Sequence, residues 1–152
     1  MKKISIIIPS LNQGIYIEKT ITSLLDQKYP DLEIIVMDGG SSDITIEILK
    51  KYDSNIKWIS EKDNGQSDAI NKGLRLATGE IIGFINSDDF LLPNSLSIIS
   101  ECFEEDGVLW MTGDYLIIDA NEKQIQPFIV KYKRFFRNIS SMNLLLVTNY
   151  II

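Results

Sequence analysis

The chain opens on an almost unbroken apolar, β-branched run, residues 3–9 (KISIIIP), which a proline stops. A run without polar alternation predicts a strand buried on both faces. Ile17, Ile21, Leu24 and Leu25 then recur at helical spacing. Residues 32–38 (LEIIVMD) predict a second strand. A second helix carries Ile44, Ile48, Leu49 and Tyr52, with Ser41, Ser42 or Asp43 as its cap. Residues 56–60 predict a short third strand. Residues 66–77 predict a helix with Ala69, Ile70, Gly73, Leu74 and Ala77 turned inward. A fourth strand follows over residues 81–86 (IIGFIN), and Pro93 fits the first turn of a fourth helix bearing Leu96, Ile99 and Phe103. After Gly107 the regularity fades. Residues 108–118 predict one or two strands interrupted at Gly113-Asp114, and residues 124–130 another.

Strands alternating with helices predict an α/β fold, a mostly parallel sheet with helices on both faces. A strand order of 3-2-1-4 would set the first and fourth strand ends on either side of a crevice, and ligands bind beyond the carboxyl ends of such strands. Those ends read Pro9-Ser10-Leu11-Asn12-Gln13-Gly14, Asp38-Gly39-Gly40-Ser41-Ser42-Asp43, Glu61-Lys62-Asp63-Asn64-Gly65-Gln66 and Asn86-Ser87-Asp88-Asp89. All four carry small, amide or acidic residues. The opposite ends carry ordinary turns, Tyr29-Pro30-Asp31 and Thr78-Gly79. The asymmetry marks one end of the sheet as the site.

Composition narrows the chemistry. The 152 residues hold 15 basic and 21 acidic side chains, a formal charge of −6, which argues against a nucleic-acid partner. There is no His, so no Ser-His-Asp triad, Cys-His pair or imidazole metal site can form. The one cysteine, Cys102, builds neither an internal disulfide nor a zinc cluster. A bound metal would need oxygen ligands, which points to Mg²⁺ or Mn²⁺. No signal segment or membrane-length apolar run is visible, so the sequence reads as a cytoplasmic protein.

Each candidate carries two readings. Asp88 and Asp89 at a strand end repel each other and suit a hard divalent cation; they also suit a helix cap before Pro93. Asp38-Gly39-Gly40 fits a tight turn, or an acid reading a base or ribose with Gly39 admitting the ligand. Asp68 either pairs with Lys72 one helical turn on, or sits at a helix N-terminus that helps bind a diphosphate. Lys131, Lys133, Arg134 and Arg137, interleaved with Phe128, Tyr132, Phe135 and Phe136, suit a solvated surface or subunit contact, or a peripheral contact with an anionic membrane. The apolar residues 144–152 are expected to pack onto the sheet or to pair two copies as a homodimer. There is no GxxxxGK[ST] and no GxGxxG after the first strand, which removes P-loop enzymes and disfavours dinucleotide oxidoreductases. An acidic pair after the first strand, needed by receiver domains, is absent too.

With these residues placed, the chain resembles the family-2 glycosyltransferases of GT-A fold. Pro9-Ser10-Leu11-Asn12 is similar to the family's first nucleotide-contacting loop, and Asp38-Gly39-Gly40-Ser41-Ser42-Asp43 to its second. Residues 63–73, followed by Ala77-Thr78-Gly79-Glu80, resemble a subgroup acting in bacterial surface-polysaccharide assembly. Asn86-Ser87-Asp88-Asp89 resembles the DxD-type metal motif, with Asn86 where many members carry Asp. The resemblance covers residues 1–118, more loosely towards the end. It implies inverting transfer of a sugar from a nucleotide-diphosphate donor, a UDP-sugar first, to a hydroxyl of a saccharide or lipid-linked acceptor. It implies donor contacts by Pro9, Ser10, Asn12, Asp38, Gly39, Asp68, Ser87 and Asp88, and Mn²⁺ or Mg²⁺ held by Asp89 and Asp88. Residues 1–118 then form the donor-binding core and residues 119–152 the start of an acceptor side. The family's general base has no matching residue; after Gly107 the only Asp residues are Asp114 and Asp119. The alternative is a nucleotide-sugar binding module without turnover. The expected location is cytoplasmic, with a peripheral place at the inner face of the membrane.

Overall fold

The computed structural model describes residues 1–113, 115–119, 123–128 and 130. Asp114, residues 131–137 of the basic-aromatic patch and the apolar residues 144–152 lie outside the described residues. The chain divides into two compact units, Met1–Leu109 and Trp110–Ile152.

The first unit is built on β1 (Ile4–Ser10), which pairs with β2 (Leu32–Asp38) on one side and β4 (Ile81–Phe84) on the other, while β2 pairs with β3 (Lys57–Ser60). All pairings are parallel, in the order β3-β2-β1-β4. Between the strands run α1 (Ile17–Leu25), α2 (Thr45–Lys51) and α3 (Gln66–Leu76), and α4 (Ser95–Cys102) follows β4.

The period of two along each strand divides the core. Ile4, Ile6 and Ile8 of β1 and Ile34 and Val36 of β2 face Ile17, Ile21 and Leu24 of α1, Ile48 and Leu49 of α2, and Leu96 of α4. Ile7, Ile35 and Met37 point the other way and pack on Ala69 of α3. Helices therefore cover both faces, and each buried Ile contributes about 1.5–3 kcal/mol over an exposed one. Gly73 lets α3 lie close to the sheet, since a Cβ there would sit 2.5 Å from Ile7 Cγ2.

Four expectations change. Burial on both faces holds for β1 and β2 only. The edge strands β3 and β4 are four residues each, and Ile82 and Phe84 are 46% and 63% exposed. Leu74 on α3 is 43% exposed, because the helix meets the sheet along the narrow line of Ala69 and Gly73. Pro93 precedes α4 rather than entering its first turn, and Asn94, in the left-handed region at φ 65°, is the N-cap. The N-cap of α2 is Ile44 and not Ser41, Ser42 or Asp43, although Asp43 Oδ1, one residue earlier, accepts from the Thr45 N–H at 3.0 Å and from its hydroxyl at 2.5 Å.

A polar node ties the strands at the end away from the site. Glu33 is buried and accepts from Ser5 Oγ at 2.5 Å, Lys57 Nζ at 2.7 Å and the Thr78 N–H at 2.8 Å. Ser5 Oγ in turn accepts from the Gly79 N–H at 2.8 Å. Burial opposes the Glu33 charge, but Lys57, Ser5 and Thr78 outweigh it and lower its pKa to about 2.

In the second unit, β5 (Ile117–Ile118) and β6 (Gln124–Ile125) form an antiparallel pair. These strands are shorter than the sequence suggests. Gln126 turns the chain at φ 49°, and Pro127, which has no N–H to give a ladder, begins a helical turn instead. No described helix is long and apolar enough to cross a membrane.

Candidate functional site

The chain runs outward from β1 through β2 to β3 and returns beside β1 as β4. The loops leaving β1 and β4 must therefore diverge, and an open cleft of about 420 Å³ lies between them. Pro9, Ser10, Leu11 and Gln13 form the β1 side, Asn86, Ser87 and Asp88 the β4 side, and Asp63, Gly65, Gln66 and Ala69 the α3 side. Ser10 is only 5% exposed, and its hydroxyl has no hydrogen-bond partner among the described residues. Buried hydroxyls are normally paired, so this one is an exception among the described residues.

Of the residues expected to bind the donor, Pro9, Ser10, Ser87 and Asp88 line the cleft. Asn12, Asp38, Gly39 and Asp68 do not; they build the loops around it. Asp38, 1% exposed at the end of β2, accepts through Oδ2 from the Gly40 N–H at 3.1 Å, the Ser41 N–H at 2.9 Å and Ser60 Oγ at 2.6 Å. Its Oδ1 accepts from Ser41 Oγ. Asn12, in the left-handed region at φ 54°, laces the first loop to the second. Its N–H donates to Ser41 Oγ at 2.7 Å, and its Oδ1 accepts from the Ser42 N–H at 2.9 Å. The Gly14 N–H donates to Asp43 Oδ2 at 2.9 Å. Gly39 gives close approach to a neighbouring side chain: a Cβ there would sit 2.8 Å from Asp63 Oδ2.

Asp68 lies in the first turn of α3 and reaches back to accept from the Asn64 N–H at 3.1 Å. That bond, with Lys72 at 3.5 Å, lowers its pKa. The expected Asp68–Lys72 pair is present, and Lys72 is nearer still to Glu61, at 2.8 Å. The cleft-facing part of this helix start is Gly65 and Gln66.

On the β4 side, Asn86 joins the walls. Its side-chain oxygen accepts from Gln66 Nε2 at 2.7 Å, and its Nδ2 donates to Asp89 Oδ2 at 3.0 Å. Asp88 is exposed on the cleft wall, and its carboxylate makes no hydrogen bond or ion pair among the described residues. Among those residues, no group of three or more His, Cys, Asp or Glu is gathered to hold a metal. The donor set nevertheless fits a hard divalent ion. Mg²⁺ typically takes one or two carboxylates and completes its shell with water and substrate phosphates; Asp88 offers one on the cleft wall, while Asp89, expected as a ligand, is exposed beside it but outside the cleft lining, its Oδ2 accepting from Asn86. Asp119 sits in the β5–β6 hairpin, where its Oδ1 accepts from the Lys123 N–H at 2.9 Å.

The cleft residues that the sequence reading did not name as donor or metal contacts are Leu11, Gln13, Asp63, Gly65, Gln66, Ala69 and Asn86, the last of which it noted only as a departure from the motif. Six of them lie in the strand-end segments already marked. Ala69 was assigned to the core by its helical spacing, and it does pack on Ile7 while also touching the cleft.

The profile of glycosyl transferase family 2 matches residues 5–149. The UDP-Glc:alpha-D-GlcNAc-diphosphoundecaprenol beta-1,3-glucosyltransferase of Escherichia coli is 34% identical over 140 residues, covering 89% of this chain and 55% of the relative. The GalNAc(5)-diNAcBac-PP-undecaprenol beta-1,3-glucosyltransferase of Campylobacter jejuni is 38% identical over 122 residues, covering 77% of this chain and 39% of the relative. Among solved structures, a mannosyltransferase of Pyrobaculum calidifontis in complex with GDP-Man and Mn²⁺ superposes with a TM-score of 0.66 at 25% identity, covering 70% of this chain and 34% of that one. The chain spans 16–55% of the length of the curated relatives it matches. A parallel sheet of this order, with its cleft at the β1 and β4 ends and a match across nearly the whole sequence, is the GT-A fold, and the chain belongs to glycosyl transferase family 2.

Proposed function

We propose that this chain is the donor-binding part of a glycosyltransferase that moves a sugar from a nucleotide-diphosphate sugar to an acceptor hydroxyl. The observation that carries the reading is the cleft between β1 and β4, with the unpaired Ser10 hydroxyl on one wall and the unpaired Asp88 carboxylate on the other. A nucleoside diphosphate suits such a cleft, since the base meets neutral donors and acceptors and the diphosphate meets the acidic end through a cation. Family membership supports the reaction. The named activities of the relatives, glucosyl transfer to saccharides linked to undecaprenol diphosphate, support a UDP-glucose-like donor and a lipid-linked saccharide acceptor.

In this reading Asp89 and Asp88 hold Mn²⁺ or Mg²⁺. When bound, the ion offsets charge developing on the leaving diphosphate. Ser87 and the Gly65–Gln66 start of α3 line the diphosphate path, where backbone N–H groups favour anions. Pro9, Ser10 and Asn12 shape the nucleoside pocket. Asp38 and Gly39 set the loop against which the base rests, and Asp68 holds the start of α3. The acceptor hydroxyl needs a general base on the opposite face of the sugar. A cytoplasmic place at the membrane's inner face would suit a lipid-linked acceptor.

Calorimetric titration of UDP and GDP, with Mn²⁺ and with chelator, tests the reading. Binding of a nucleoside diphosphate that strengthens with Mn²⁺ is expected. No binding of either in both conditions would overturn it.

A further inference from the structure

α1 carries a polar stripe on a helix otherwise turned to the core. Thr20, Ser23 and Gln27 are spaced three and four apart, so they share a face just along and beyond the helix. All three bind the loop that follows β4. The Thr20 hydroxyl lies between two carbonyls, Asp89 O at 2.7 Å and Ser87 O at 2.9 Å, and shares its single proton between them. Ser23 Oγ accepts from the Leu91 N–H at 3.1 Å. Gln27 Nε2 donates to Leu92 O at 3.0 Å, and its Oε1 accepts from the Leu96 N–H at 3.4 Å.

Thr20 is the member that matters for the site. A helical Thr ordinarily satisfies its hydroxyl on a carbonyl three or four residues back, as Thr22 does on Glu18 O at 2.9 Å. Thr20 instead reaches across to a segment 67–69 residues away. It is 1% exposed, and Ser87 is itself buried at 4%. Without the hydroxyl, the Ser87 carbonyl would lose a donor where water has little access, which is costly enough to shift the turn. That turn brackets Asp88 and carries Asp89.

We propose that Thr20 is a positioning residue for the metal-binding turn: by holding the Ser87 and Asp89 carbonyls from beneath, it fixes the backbone from which both carboxylates project. The proposal rests on the donor-site reading above. Thr20 touches neither ligand nor metal in it, and acts only through the turn.

The test is calorimetric titration of UDP, with Mn²⁺ and with chelator, into the unmodified chain, Thr20→Val and Thr20→Ser, with thermal midpoints measured alongside. Val keeps the shape and drops the hydroxyl, while Ser keeps the hydroxyl. In Thr20→Val the gain in UDP affinity from Mn²⁺ should fall by about tenfold, the scale of one lost hydrogen bond, with chelator affinity changed by less than about twofold. Thr20→Ser should restore the gain. If Thr20→Val does not fold, Thr20→Ala is read by the same criterion. An undiminished Mn²⁺ gain in the hydroxyl-free variant overturns the proposal. So does a loss that falls equally on both conditions and follows the thermal midpoint, or one that Ser does not restore. An unmodified chain that binds UDP with no Mn²⁺ gain is a different failure, visible before any substitution; it overturns the metal-site reading and this role with it.

Discussion

The amide of Asn86 donates to Asp89 Oδ2 at 3.0 Å while its oxygen accepts from Gln66 Nε2 at 2.7 Å. Only one orientation of the amide satisfies both neighbours, because the reverse sets oxygen against carboxylate and nitrogen against nitrogen. A carboxylate at this position could accept from Gln66 but could not donate to Asp89. The departure from the usual acidic motif therefore has a consequence: it trades one negative charge for an orienting bond on Asp89.

Asn86→Asp should reverse that trade. Three acids would repel the diphosphate when no cation is present and hold a cation more tightly when one is. UDP affinity in chelator should fall, and the Mn²⁺ gain should rise, by about three- to tenfold, the scale of an added charge contact at a partly exposed site. Titrations in both conditions check this. An unchanged ratio between them would contradict the claim that a charge at this position acts on the cation.

Ser10→Ala separates a ligand contact from a structural one. The hydroxyl has no partner among the described residues, so its loss should leave the thermal midpoint unchanged or slightly raised. Uridine or UDP binding should weaken by about 0.5–1.5 kcal/mol, the net worth of one neutral hydrogen bond. A lower midpoint with unaltered nucleotide binding would assign Ser10 to the core.

Asp38→Ala should affect both properties. Its carboxylate holds Gly40, Ser41 and Ser60, so the second loop loosens and the midpoint falls. If that loop rests against the base, affinity for uridine, which carries no phosphate, should fall by about 1–3 kcal/mol. Unchanged uridine binding would remove Asp38 and its loop from base recognition.

Glu33 gives a pH signature far from the cleft. Its pKa is about 2 in the folded chain against an ordinary 4.5. A lowered carboxylate pKa contributes stability that is fully present above the unfolded value and is lost as pH falls from about 4.5 through 2. The shift corresponds to on the order of 3 kcal/mol. Glu33→Gln should lower the thermal midpoint at pH 7 and flatten its decline between pH 5 and about 2. Parallel declines in the two proteins would show that the charge is not what matters there.

How much of this was legible in the sequence depends on the physics of each signal. The inner strands followed from apolar runs, because a strand covered on both faces has no polar positions to confuse the pattern; the order β3-β2-β1-β4 agrees with the one that the doubly wound topology suggested, and no apolar run encodes it. The edge strands were shorter than their apolar runs, since Ile82 and Phe84 keep strand-forming side chains without being buried. The strand-end segments located the cleft, but which residues face it depends on loop geometry. Asn12 and Asp38 turn their polar atoms into the loops, whereas Gln13 and Gln66 line the space. The hold of Thr20 on the Ser87–Asp89 turn left no mark in sequence, because its partners are carbonyls, which every residue has. Gly79, read as part of an ordinary turn and quoted for the resemblance, has a further structural role: its N–H completes the Ser5–Glu33 node.

The most direct test of the account is a crystal structure of the chain with UDP and Mn²⁺. The account predicts the diphosphate and the ion at Asp88 and Asp89, with the uridine between the Pro9–Gln13 loop and the Asp38–Ser41 loop, in hydrogen-bond reach of Ser10. UDP bound away from the β1 and β4 ends, or a diphosphate and ion that do not touch the Asp88–Asp89 turn, would contradict it.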